Sequence, residues 1–170
     1  MGIFETDRLT LRELVVGRDE DFILDLLNTE GFLKFIGDRG VRDLAGARDY
    51  IANGPGKSYV ENGFGLWAVE LTASGERIGL CGLVRRDGLD HPDIGYAFLP
   101  AHEGQGYAVE AAGGTLAHAR SHLGLKTLCA VTTPENAASR RVLEKIGLTY
   151  RGLITLPGRD DESTYYETVD

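Results

Sequence analysis

The sequence predicts a mixed α/β fold, one domain over residues 1–170 built on a central sheet. Three observations support that class. Runs with the period of strands and runs with the period of helices follow one another along the whole chain. No internal repeat, low-complexity stretch or shift in composition offers a linker at which a second domain could be cut. A chain of 170 residues is long enough to bury about two-thirds of its unfolded surface, so one core suffices.

Taken in order, RLTLREL (8–14) alternates apolar and polar residues as a half-buried strand does, and Gly17-Arg18-Asp19 opens the amphipathic helical stretch DEDFILDLLN (19–28). VRDLAGARDYIA (41–52) has helical spacing and ends at the breaker cluster Asn53-Gly54-Pro55-Gly56. GLWAVEL (65–71), a turn at Ala73-Ser74-Gly75 and RIGLCGLV (77–84) read as an antiparallel hairpin. DIGYAFL (93–99) is a strand, 105–123 a long helix, and KTLCAVTT (126–133) a strand rich in apolar and β-branched residues. Residues 136–146 form a second helix ended by Gly147, and LTYRGLI (148–154) and STYYETV (163–169) are the last strands.

Composition excludes several function classes. A net charge of −8 argues against nucleic acid as the main partner, because phosphate backbones want a basic face, and it is permissive of a cationic substrate. No stretch approaches the roughly 20 apolar residues of a membrane span. The N-terminal MGIFETDRL has neither the basic region nor the apolar core of a secretory leader. A soluble cytoplasmic protein without a membrane partner, a monomer or a homodimer, is the expectation. Cys81 and Cys129 lie in apolar runs without metal-ligand spacing and read as buried free thiols. His118 and His122 stand four apart like half of a zinc motif, but no glutamate follows the first and no third ligand is evident. They read as an exposed helix face, and no metal is expected.

The stretch AHEGQGYAVEAA (101–112) sets Gly104 and Gly106 at the entrance of the long helix. A helix start leaves amide N–H groups unpaired and carries partial positive charge, so a strand-to-helix turn stripped of side chains can cradle an anion, above all a phosphate. The same glycines also serve a plain tight turn, and the local pattern leaves both readings open. No Lys-Ser/Thr follows, as a nucleotide P-loop requires, and Val109 stands where a dinucleotide fingerprint has its third glycine. After the next strand, PENAASRRVLEKIGL (134–148) sets Pro134 just outside a helix, Asn136 at its cap and Ser139 one turn on, on the same side.

This succession of strand, glycine turn opening a helix, strand, and helix carrying Asn-x-x-Ser resembles the GNAT acyltransferase superfamily. Glu103-Gly104-Gln105-Gly106-Tyr107-Ala108 stands in place of its Q/R-x-x-G-x-G/A loop. FETDRLTLREL, DIGYAFLPAHEGQGYAVEA and NAASRRVLEKIGL are similar to the branch that includes the ribosomal-protein N-terminal alanine acetyltransferases (Rim-type), from about residue 4 to the end. The resemblance implies a mostly antiparallel, twisted sheet of about seven strands, splayed between the fourth (93–99) and the fifth (126–133), with helices on both faces. It implies acetyl-CoA as cosubstrate and acetyl transfer to an amine, a protein N-terminus or a small molecule, by direct attack in a ternary complex. A non-catalytic acyl-CoA-binding module on the same fold is the alternative, since both need the glycine loop.

Residue by residue, the resemblance implies that the amides of Gly104, Gln105, Gly106, Tyr107 and Ala108 hold a pyrophosphate. It lays the pantetheine arm along the splayed end of strand 93–99, paired with the backbone of Ala97, Phe98 and Leu99, with Asn136 and Ser139 facing the same groove. The amide near Ala97 is the expected donor to the oxyanion of the attack. Asp93 begins its strand where several members carry a catalytic glutamate and is the candidate base, directly or through a water. Its other reading is a solvated carboxylate after Pro92. Leu143 occupies the place of the tyrosine that many members use as general acid, which leaves Ser139 as candidate, or as a helix-packing hydroxyl. A thiolate leaving group, with a pKa of about 8.5, has no strict need of an acid. Glu103 replaces Gln or Arg and must point away from a pyrophosphate. Glu110 reads as structural company for the helix dipole. His91 and His102 flank the site, Tyr96 reads as pocket wall, and the acceptor pocket is expected at about 30–40 and 150–166.

Overall fold

The computed structural model describes residues 2–169; Met1 and Asp170 lie outside the described residues. Strands β1 (Gly2–Glu5) and β2 (Leu9–Arg12) are followed by four helices, α1 (Glu20–Leu27), α2 (Glu30–Phe35), α3 (Leu44–Asn53) and α4 (Pro55–Asn62). Then come β3 (Leu66–Leu71), β4 (Arg77–Val84) and β5 (Asp93–Phe98), a short 3-10 turn (Pro100–His102), α5 (Tyr107–Ser121), β6 (Cys129–Thr132), α6 (Ala137–Lys145), β7 (Leu148–Thr155) and β8 (Glu162–Thr168). The strands make one sheet in the order β1-β2-β3-β4-β5-β6-β8-β7. Every pairing is antiparallel except β5 with β6, which is parallel and held in a single register, Asp93 with Cys129.

The mixed class, the mostly antiparallel sheet and its splay therefore agree with the sequence reading, with an eighth strand added at the N-terminus. Alternation along the central strands splits their side chains between two cores. One face, with Leu9, Leu11, Trp67, Ile78 and Ile94, packs beneath Ala111, Ala112 and Ala119 of α5 and Leu143 of α6. The other, with Ala68 and Leu80, receives Phe22, Ile23, Leu26 and Leu27 of α1, Phe32 of α2, and Ala47 and Ile51 of α3. Each buried Leu, Ile or Phe among them contributes roughly 1.5–3 kcal/mol on leaving water.

The sequence reading stops at the breaker cluster where the chain does not. Gly54 ends α3 and Pro55 begins α4 at its first position, where a proline's fixed φ suits a helix and its missing N–H costs nothing. The six-residue α2, capped by the Thr29 hydroxyl accepting from the Phe32 amide, is too short to show a period. Cys81 and Cys129 are buried free thiols, and burial pushes Cys81 up to about 12. His118 departs from the exposed face expected of it: its ring stacks between Phe4 (5.2 Å) and His122 (4.9 Å), and burial lowers its pKa. Among the described residues no group of three or more His, Cys, Asp or Glu could hold a metal, and no helix is long and apolar enough to cross a membrane.

Candidate active site

The Cys129 amide donates to Pro92 O (2.9 Å), and beyond that point β5 and β6 part. The opening is a cleft of about 1110 Å³ that runs from the start of α5 and α6 to α2, α3, α4 and the turn between β7 and β8. Its edge is set by parity. Leu99 N–H donates to Ile78 O (2.9 Å) in β4, and alternation turns the Ala97 amide the same way. The amides of β5 that face the opening are then those of Tyr96 and Phe98. Of Ala97, Phe98 and Leu99, only Phe98 presents backbone to a ligand. The Ala97 N–H itself belongs to the ladder with β4, so of the amides near Ala97 expected to meet an oxyanion, those of Tyr96 and Phe98 are the ones turned to the opening.

At one end of the cleft Gly104 (φ +75°) and Gly106 (φ +83°) both lie in the left-handed region. The tight turn and the cradle are therefore one device, since the turn that demands glycine also strips the loop of side chains. Gly106 caps α5 with no side-chain bond to the helix, whereas Asp43 and Asn136 cap α3 and α6 through their side chains. The amides of Gly104 through Val109 find no acceptor among the described residues. Arg8 braces the loop from outside: Nη1 donates to Gln105 O (3.0 Å), Nε to Glu110 (2.7 Å), and the guanidinium lies 4.4 Å over the Tyr107 ring. Glu110 also accepts from the Arg8 amide and the Thr6 hydroxyl, a structural tie. Gln105 turns its side chain back to Ala101 O (3.3 Å) and does not line the cleft, although Gly104, Gly106, Tyr107 and Ala108 do.

Asp93 lies at the root of the opening and is 2% exposed, so the solvated reading fails. Oδ2 accepts from Arg86 Nε (3.0 Å), and Oδ1 is buried with no hydrogen-bond partner. Burial pushes its carboxyl up to about 6, against the pull of Arg86 and of the nearby Val131 amide, which does not reach hydrogen-bond geometry. Above that pH it is a buried base with one free oxygen. Arg86 was not singled out from the sequence. Its contact depends on the register that sets Val84 opposite Asp93, and a loop of eight residues hides it.

On the other side of the sheet the Ser139 hydroxyl and the Tyr96 hydroxyl are 2.8 Å apart, and Tyr96 also donates to Ser139 O (3.1 Å). Burial raises the Tyr96 phenol above its ordinary range. Asn136 Oδ1 accepts from the Ser139 amide (3.1 Å), as expected of a cap. Asn136, Ser139 and Tyr96 all line the cleft, and so does Leu143, which is otherwise buried in the core. His102, held by Glu76 (3.0 Å), and the exposed Glu103 line it too, whereas His91 does not. The remaining wall includes Phe32, Phe35, Ile36, Arg39, Leu156, Pro157 and Arg159, as the two expected segments require. It also includes Tyr50, Pro55, Lys57, Ser58 and Glu61 from α3 and α4, and Arg85 and Arg86 after β4.

The sequence profile described as acetyltransferase (GNAT) domain matches residues 8–149. The chain is 33% identical over 148 residues to the Bacillus subtilis (strain 168) protein YkkB, covering 85% of this chain and 84% of that one. It is similar in structure to an acetyltransferase from Agrobacterium tumefaciens str. C58, with 29% identity, a TM-score of 0.78 and coverage of 98% and 94%. It shares its fold with a ribosomal-protein-S5-alanine acetyltransferase from Vibrio fischeri, with 16% identity, a TM-score of 0.79 and coverage of 98% and 95%.

Proposed function

The chain belongs to the GNAT acetyltransferase family and is an acyltransferase, and from that premise we propose that it transfers an acetyl group from acetyl-CoA to an amine by direct attack in a ternary complex. The residues fit that cosubstrate. Six consecutive unpaired amides, Gly104 to Val109, suit a pyrophosphate at the N-terminus of α5. The free backbone edge at Tyr96 and Phe98 suits the amides of a pantetheine arm. When bound, acetyl-CoA supplies the activated acetyl group and a thiolate that leaves. Asn136 holds α6 in register through its cap and borders the same groove.

The observation that carries the reading is Asp93, a residue of the cleft wall whose Oδ1 is buried and has no hydrogen-bond partner. With a pKa of about 6 it is ionised near neutral pH, and it can accept a proton from an amine as the nitrogen attacks. Arg86 fixes the other oxygen, so the free one has a defined direction. The Tyr96–Ser139 hydroxyl pair is positioned to steady the departing sulfur. The acceptor is an amine of a protein N-terminus or a small molecule; nucleic acid and membrane have no part, the location is cytoplasmic, and the working unit is a monomer or homodimer. The test is thiol release from acetyl-CoA across a panel of N-terminal peptides, amino acids, polyamines and aminoglycosides. Release that depends on an acceptor supports transfer, and tight CoA binding with no release on any amine points to the non-catalytic module.

A further inference from the structure

Asp93 is held by Arg86 through one contact only. The bond joins Nε to Oδ2 (3.0 Å), so the pair is not the two-point fork that a guanidinium and a carboxylate usually make. Oδ1 is left without a partner, and among the described residues Nη1 and Nη2 of Arg86 find no acceptor. Both residues line the cleft, and the Arg86 side chain is only 31% exposed. A buried carboxylate with an idle acceptor is an incomplete arrangement, since a buried polar group costs free energy until something meets it, and beside it the terminal nitrogens of Arg86 stay open to a ligand from the cleft.

The surroundings are cationic on balance. Arg39, Arg85 and Arg159 line this cleft from three separate segments, and among the described residues none lies within ion-pair distance of an acid. Glu61, Asp87 and Glu103 line it too, with Glu61 3.8 Å from Lys57, but the arginines and lysines of the wall outnumber the acids. A chain of net charge −8 thus presents a cationic mouth where the acceptor enters. Polycationic amines would be repelled there.

Building on the acetyl-transfer reading of the same site, we propose that the acceptor is a small amine carrying its own anionic group close to the nitrogen, of the α-amino-acid type, with the amine at Asp93 Oδ1 and the anion on the terminal nitrogens of Arg86. The two free ends of one ion pair are adjacent, as an amine and a carboxylate are when one carbon separates them. Such a ligand completes both halves at once: the carboxylate takes the two-point contact that Asp93 leaves open on Arg86, and the nitrogen is delivered to the base. A peptide N-terminus offers a neutral carbonyl at that place, and a polyamine or an aminoglycoside offers another cation.

The experiment uses matched triplets, an L-amino acid, its primary carboxamide and the corresponding amine lacking the carboxyl, screened first as pools of the twenty side chains, beside spermidine, an aminoglycoside and short peptides. Binding is read by calorimetry on the protein saturated with CoA, and turnover by thiol release from acetyl-CoA. The acid is expected to exceed its amide at least a hundredfold in both readouts, because a site built for a charged group rejects the isostere lacking it. Arg86→Lys keeps the charge and loses the fork, and should cut that preference, the ratio of acid to amide, at least tenfold. Arg86→Gln, if folded by circular dichroism, should abolish it. Equal binding and turnover of acid and amide, or a polyamine, aminoglycoside or peptide as best acceptor, overturns the proposal and leaves acetyl transfer standing. Preferential binding of the acid with no thiol release on any amine sinks acetyl transfer and supports the anion subsite.

Discussion

Two Arg–Asp pairs with a buried carboxylate, Arg12–Asp19 and Arg86–Asp93, are built in opposite ways. Arg12 and Asp19 meet through a full fork, Nη1 to Oδ2 (2.8 Å) and Nη2 to Oδ1 (2.9 Å). Asp19 Oδ2 also accepts from the Val15 amide, Oδ1 from Arg77, and the Nε of Arg12 is spent on Glu70. Nothing is left over, and despite full burial these donors hold the Asp19 carboxyl below the usual range. Arg86 and Asp93 share one bond, keep an idle oxygen and two idle nitrogens, and burial carries the carboxyl the other way. Identical residue types thus serve a brace joining β2 to α1 in one place and, in the reaction we propose, the base and its holder in the other. What separates them is whether the lone pairs are all used, and that decides which pair can do chemistry.

The same contrast holds for helix starts. Thr29, Asp43 and Asn136 close α2, α3 and α6 with side-chain acceptors, while Gly106 leaves α5 open. Gly54, which likewise makes no side-chain bond to α4, lines the cleft together with Gly106.

The largest expected effect comes from breaking the closed pair. Arg12→Ala leaves Asp19 without its main counter-charge in a site with no access to water, and should cost about 3–5 kcal/mol in urea unfolding. The matching change Arg86→Ala should cost only about 1 kcal/mol, because the Asp93 carboxyl, already raised to about 6, can take up a proton and stay buried as a neutral group. Comparable losses from both would erase the distinction drawn here.

Next comes Asp93→Asn, which separates the pairs by pH. An acid whose folded pKa is raised from 3.8 to about 6 binds more protons folded than unfolded between those values. Stability from this group falls as pH rises through that window and is flat above it. The variant should therefore be more stable than the parent above pH 7, by at most about 3 kcal/mol, and equal to it below pH 4. Asp19, with its pKa lowered, has the opposite sign: its stabilisation is complete above about pH 4 and lost as acid passes the folded value. Turnover should drop by roughly ten- to a hundredfold on an α-amino acceptor, and the rise of rate with pH should move toward the pKa of the free amine. A variant with parental rate and profile would make Asp93 a structural acid, and the base would have to be sought at His102 or a water.

Third in size is the cradle. Gly106→Val should weaken CoA binding at least tenfold, about 1.4 kcal/mol by calorimetry. A valine at φ +83° is strained in any case, by roughly 1–3 kcal/mol, so Gly75→Val, with a similar φ (+76°) in the turn between β3 and β4, is the reference. It should lose comparable stability and no affinity; equal loss of affinity in both would refute the phosphate reading.

Much of this architecture is legible in the sequence, because its elements depend on local pattern. The strand periods, the glycine turn and the Asn136 cap each arise within a few residues. What escapes is whatever depends on pairing between distant segments. Pro92-Asp93 looks like a solvated strand start, and only the parallel contact with Cys129 and the packing around it reveal that the carboxylate is buried. Arg86 becomes a partner of Asp93 through the β4–β5 register. The amides open to a ligand follow from which carbonyl Leu99 meets, and parity displaces them one residue from Ala97. α4 is hidden for a local reason, since Pro55 reads equally as a breaker and as a first helical residue.

The smallest effect tests whether the Tyr96–Ser139 pair belongs with the closed groups or the open ones. Tyr96 O–H donates to Ser139 O, which leaves the Ser139 hydroxyl as the donor between the two oxygens, so each proton already has an acceptor. A pair satisfied in this way can steady a sulfur but gives up a proton reluctantly, and a thiolate leaving group with a pKa of about 8.5 hardly needs one. Ser139→Ala should therefore lower kcat less than tenfold, with Tyr96 still held by the carbonyl. Tyr96→Phe should be similar, and the double variant should lose no more than the worse single one, because the two hydroxyls act as a unit. CoA affinity, measured by calorimetry in all three, should stay near the parental value. A loss above a thousandfold in either single variant, with CoA still bound, would move the pair across the divide, to a proton donor that turnover requires.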